Sequence, residues 1–137
     1  MDVQNLSYAA IQTVHNFGAV AVVGSALHAL WLKPEQALGR RQLAWIILAG
    51  WVAQGISGSA FGAVSWLYYG RLPDLHGIAI AALLVKIGCA ASGFVLVALY
   101  LRHGQAWSDQ KIQAVWRTLA VLAATALTAA AFLRWLS

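Results

Sequence analysis

LHGIAIAALLVKIGCAASGFVLVALYL, residues 75–101, is the stretch whose reading decides the fold. It is apolar almost throughout, and its ionisable side chains of note are His76 near its start and Lys86 in its middle. About 20 apolar residues cross a bilayer as a helix, so this run is long enough to span one. An ionisable side chain inside a span costs from about 2.5 kcal/mol upward, so Lys86 needs a reason to be there. The chain offers it no counter-ion. Its acids are Asp2, Glu35, Asp74 and Asp109, and all four fall at or near predicted span ends. Lys86 is therefore neutral, snorkels outward, or meets an anionic group from outside the chain: a cofactor carboxylate, a lipid or a partner subunit.

Working outward, the rest of the chain repeats the pattern. Of 137 residues, 61% are apolar and 9% charged. Soluble domains carry roughly 25% charged residues, so the composition is that of an integral membrane protein. Four spans are predicted, at about 6–32, 42–68, 75–101 and 114–136, and they leave no room for a soluble domain within residues 1–137. Pro34 and Pro73 fall between spans, where they break no helix. Short connections make successive helices antiparallel neighbours. The expected fold is all-α, a four-transmembrane-helix up-down bundle.

Charge gives the expected orientation. Lys33, Arg40 and Arg41 lie in the first connection, and Arg102 and Lys111 in the third, with Arg117 just beyond. The second connection has Arg71 set against Asp74, and no base precedes Lys33. The positive-inside rule then places the first and third connections in the cytoplasm and both termini on the extracytoplasmic side, with Arg134 the one residue opposed. The absence of early bases also argues against a secretory signal, so the first span is expected to stay. The net charge of +5 is scattered over span ends rather than gathered on one face, so nucleic acid is not an expected partner. Cys89 is the sole cysteine, which excludes an intrachain disulfide and a cysteine-based metal motif. The expected setting is a bilayer, with the bacterial inner membrane as the expected location.

Polar residues inside the spans point to a site. Gln12, His15 and Asn16 recur at three- and four-residue spacing, which predicts a shared face of the first helix. Gln54, Ser57, Gly58, Phe61, Gly62 and Ser65 form a small, polar stripe on the second, suited to close helix contact. At 1.5 Å per residue, His15 and Lys86 lie roughly 14 and 16 Å below the outer span starts. The span-two stripe shares that outer half. Polar groups in lipid must find partners, so His15, Lys86 and Gln54 are expected to face a common interior cavity.

His76, near the outer start of span three, is a second candidate metal ligand beside His15. Neutral imidazole ligates haem and transition metals, its other nitrogen needing an acceptor. His28 and His103 share the opposite depth. His15 and His28 are rotated by about 220°, which argues against two haems stacked along one helix.

Val14-His15-Asn16-Phe17 and Leu83-Leu84-Val85-Lys86-Ile87 resemble the first and third helices of the CopD-like and HemJ-like four-helix membrane proteins. Chain length and span count are also similar. The resemblance implies a b-type haem and, in HemJ-type proteins, oxidation of protoporphyrinogen, with the first-helix histidine and third-helix lysine essential. It carries over to His15 and Lys86. The segment Gly18–His28 differs from the aromatic and Pro-Arg segment found there.

Three functions follow as expectations. The first is a haem b-binding protein in electron transfer or redox chemistry, with a quinone or a redox subunit as electron partner. If it is an enzyme, it is an oxidoreductase of porphyrinogen- or quinone-linked type. His15 would be an axial ligand, Lys86 or His76 would sit opposite or contact a propionate, and Gln12, Asn16 and Gln54 would line the site. The second is a cofactor-free accessory or anchor subunit of a larger complex, or a homo-oligomer. The third is copper or metal handling, for which soft ligands are lacking.

Overall fold

The structure, a computed structural model, describes residues 3–136; Asp2 and Ser137 lie outside them. Four long helices follow one another: α1 (Val3–Trp31), α2 (Ala37–Tyr69), α3 (Ile78–His103) and α4 (Asp109–Leu136). All four are long and apolar enough to cross a membrane. They form an all-α bundle in which α1 packs most extensively on α2 and α3 on α4, while α2–α3 and α1–α4 contacts close the ring. The apolar runs are helical because a backbone in lipid must bond its own polar groups.

The connections are shorter or shifted relative to the predicted span limits, for local reasons. A single 3-10 turn, Pro34–Gln36, joins α1 to α2. Proline suits the first position of such a turn, where its missing N–H is not needed. The Gln36 side chain accepts from the Lys33 backbone N–H at 2.9 Å and fixes the turn. Helix α2 therefore starts at Ala37, and Arg40 and Arg41 stand in the helix rather than in a loop. Gly70, at φ 65°, ends α2 in the left-handed region, its N–H bonding the Trp66 carbonyl. Gly77, at φ 51°, delays α3 to Ile78, later than the apolar run alone suggests. Ser108 caps α4, accepting from the Lys111 N–H at 3.3 Å.

The large buried side chains gather towards the end of the bundle that carries these basic connections, whereas the opposite end buries small ones such as Ala79, Ala82, Ala126 and Ala129. Trp116, Ile47, Leu119 and Val97 are fully buried at the basic end. Tyr100 packs edge-on against Trp116, ring centroids 5.2 Å apart. Small residues let the backbones close in. A Cβ on Gly93 would lie 2.7 Å from Trp51 Nε1, and one on Gly50 would lie 2.6 Å from Val22 Cγ2. The span-two stripe does not supply such contacts: Gly58 is exposed, with nothing within 4 Å of where its Cβ would stand. Arg40, 4% exposed, donates to the Leu32 carbonyl past the end of α1, and Arg41 Nη1 donates to the Leu101 carbonyl at 3.0 Å. Two adjacent arginines of α2 thus satisfy the C-terminal carbonyls of its two neighbours, where a cation also suits the helix dipole.

Candidate functional site

Away from that core the helices loosen, and the polar groups meet at the boundary. His15 on α1, Ser57 on α2 and Lys86 on α3 form one connected chain. Lys86 Nζ lies 2.8 Å from His15 Nε2, and His15 Nδ1 lies 2.7 Å from Ser57 Oγ. Ser57 Oγ donates in turn to the Ala53 carbonyl one turn back. Phe61 sets its ring edge-to-face with His15, centroids 5.9 Å apart, and stacks on Tyr8 at 6.2 Å.

The carbonyl beneath Ser57 favours one set of bond directions. A carbonyl only accepts, so the single proton of Ser57 is committed to Ala53. The Ser57 oxygen must then accept from His15, which assigns the proton to Nδ1. Nε2 is left with its lone pair, and Lys86 is the donor to it. In that arrangement the imidazole carries its proton on Nδ1 and turns Nε2 from α1 towards α3.

Gln54 contributes differently from its expected role. Its side chain is buried, and its Nε2 donates to the His15 backbone carbonyl rather than to the imidazole or to Lys86. It ties α1 to α2 beside Gly18, whose Cβ would lie 3.1 Å from that same nitrogen. Gln54 therefore sets the height of His15 without touching its ring.

Three expected site residues stand elsewhere. Gln12 and Asn16 are exposed and bond each other, Gln12 Nε2 to Asn16 Oδ1 at 2.7 Å. Three- and four-residue spacing groups residues only within a broad arc. His15 lies at the inner edge of that arc, and the two amides lie outside it. His76 precedes α3, is largely exposed, and approaches Asp74 at 3.4 Å. It is about 15 Å along the chain axis from Lys86, so it does not join His15. An exposed pair of this kind contributes little to stability.

Ser57 is the member of this cluster to which the sequence alone assigns no site role. Its signal was present: it is one turn from Gln54 on the same stripe and at the depth of His15. No carboxylate of the described residues reaches Lys86; His76–Asp74 is the one ion pair among them. No group of three or more His, Cys, Asp or Glu side chains that could hold a metal ion comes together among the described residues. Open apolar grooves on the outer surfaces of α1–α2 and α3–α4 include neither His15 nor Lys86.

Comparison of the chain with protein-family models, with curated proteins and with solved structures finds no match.

Proposed function

We propose that the His15–Lys86 pair is the centre of a haem b-binding integral membrane protein engaged in electron transfer or redox chemistry. One observation carries this: a mid-membrane histidine whose Nδ1–H is anchored on Ser57 and whose Nε2 lone pair meets an uncompensated lysine. Metal-ligating histidines hold their outer nitrogen in this way. A lone imidazole also suits haem better than a bare ion, because the porphyrin brings the other equatorial donors itself. Lys86 would supply a cation for a propionate or a second nitrogen ligand, and its 2.8 Å contact with His15 Nε2 would open to admit the haem. Bound there, haem would supply one-electron chemistry in a water-poor setting. The chain's part is to orient the imidazole through Ser57, to fix its height through Gln54, and to keep Lys86 beside it. A quinone or a redox subunit is the proposed electron partner.

The optical spectrum of the protein purified in mild detergent tests this. We expect a Soret band that is lost in His15→Ala and kept in His103→Ala. Lys86→Met is expected to shift the band if lysine is a ligand, and to weaken retention without a shift if it holds a propionate. A colourless, monodisperse wild-type protein that takes up no added haem would transfer the reading to a cofactor-free accessory subunit.

The proposed orientation has both termini extracytoplasmic, as in the bacterial inner membrane, with the basic connections inside. Arg40 and Arg41 support it although they lie in α2, since they stand in its first turns. A reporter fused after the C-terminal residue is expected to read extracytoplasmic; a cytoplasmic signal would invert the site's sidedness.

A further inference from the structure

The amides displaced from the site occupy a face of their own. Asn5, Ala9, Gln12, Asn16, Val20 and Gly24 recur along α1 in three- and four-residue steps, and all are exposed. At 100° per residue, Gln12 and Asn16 lie roughly 120° and 160° round the helix from Gly18, which is buried against α2. They therefore face away from the bundle, at the depth where His15 sits, on a helix apolar enough to cross a membrane. Among the described residues neither amide bonds another helix. Amide groups in hydrocarbon need partners, so something covers this face.

We propose that the cover is a second copy of this chain, docked α1 against α1. The argument is complementarity. Gln12 Nε2 already donates to Asn16 Oδ1, and that bond brings the two amides to one level. What remains is a donor on Asn16 Nδ2 and an acceptor on Gln12 Oε1. A copy related by a two-fold axis along the membrane normal presents the same two groups at the same level, reversed. Asn16 of each copy then donates to Gln12 of the other, and the amides close a ring. Such isologous pairing admits self-complementary groups and excludes like charges, and the face carries no charge at all. Above and below the amides, Ala9 and Gly24 let the two backbones approach; a Cβ on Gly24 would meet nothing within 4 Å in one copy. This interface lies apart from the His15–Lys86 pair, so it stands whether or not a haem is bound.

The full chain in mild detergent and in reconstituted bilayers provides the test. Wild-type protein is expected to be dimeric, and Ala9→Cys to form a disulfide-linked dimer. Val85→Cys, on the α3–α4 surface, is expected not to. The double change Gln12→Leu with Asn16→Leu should raise the dimer dissociation constant by about tenfold or more. Ala9→Trp keeps both amides but blocks close approach, and should separate the copies as well. Helical content by circular dichroism shows whether each variant has folded. If the double variant loses helicity, Ala9→Trp decides alone. A monomeric wild type at all concentrations would overturn the proposal and leave the face to a different membrane helix. A dimer indifferent to the folded variants, or linked through Val85→Cys instead, would overturn it too.

Discussion

The two halves of the bundle are built on opposite principles. At the basic end, large rings fill the interior: Trp51, Trp116 and Tyr100 are buried, with Gly93 close against Trp51 and Gly104 against Tyr100. At the other end, α1 has no buried residue between Val3 and Phe17, and Gly55, Gly58 and Gly88 meet nothing within 4 Å. One half holds the helices together through van der Waals contact, which is the available driving force between helices in lipid. The other holds groups that need a partner. The Lys86–His15–Ser57 chain sits where they join, with Ser57 buried and His15 and Lys86 half-buried. A site placed wholly in the packed half would have no room for a ligand. One placed at the loose tip would lose its orientation.

The comparison breaks first at Gly93. Its Cβ position lies within 2.8 Å of three atoms of the Trp51 ring, and Trp51 is itself buried. Gly93→Ala should therefore cost about 1–3 kcal/mol, as overpacking does, despite alanine's better helix propensity. Loss of helicity on titration with a denaturing detergent measures it. A neutral Gly93→Ala would mean that the basic half is as yielding as the outer half.

How far the sequence discloses all this depends on which physical rule governs each feature. Span number and order are legible because length and hydropathy alone govern them, and the four helices lie where the apolar runs do. Helix ends shift by several residues because turn geometry governs them: Pro34 starts a 3-10 turn, and Gly77 adopts a positive φ that hydropathy does not register. The meeting of His15 with Lys86 is legible through depth, since two rare polar groups at one level of a small bundle have few other partners. Which way Gln12 and Asn16 turn is not legible. A periodicity assigns relative angles on one helix, and only the neighbouring helices decide which angle is inside. The close-packing glycines are hidden for a similar reason. Gly58 and Gly62 show the familiar spacing, whereas Gly50 and Gly93 matter because of Val22 and Trp51 on other helices.

Ser57 tests the join between the halves. Ser57→Ala leaves His15 Nδ1–H without its acceptor, an effect of about 0.5–1.5 kcal/mol on stability. The larger consequence is for orientation: the ring can turn, and Nε2 no longer points at Lys86. Loss of such a supporting contact typically weakens metal or cofactor affinity by about 10–100-fold, so retention of the proposed haem should fall by that order while helicity persists. Ser57→Thr keeps the hydroxyl and the bond to the Ala53 carbonyl, and should restore retention. Equal retention in the alanine and threonine variants would show that the imidazole is positioned by something other than this hydroxyl.

The smallest expected effect belongs to Gly58, and it sharpens the contrast with Gly93. The two glycines look alike in the sequence: each lies mid-helix among small and apolar residues. Only their surroundings differ. Gly58 is exposed, and a Cβ there meets open space, so Gly58→Ala removes conformational freedom from the unfolded chain without creating a clash. It should be neutral or raise stability by up to about 1 kcal/mol, opposite in sign to Gly93→Ala. The same detergent titration reads both. If Gly58→Ala instead destabilises the protein in bilayers but not in detergent, another helix packs on α2 at that point in the membrane. The outer half would then be open only in the isolated chain, and the space beside His15 and Lys86 would be bounded by protein rather than by lipid.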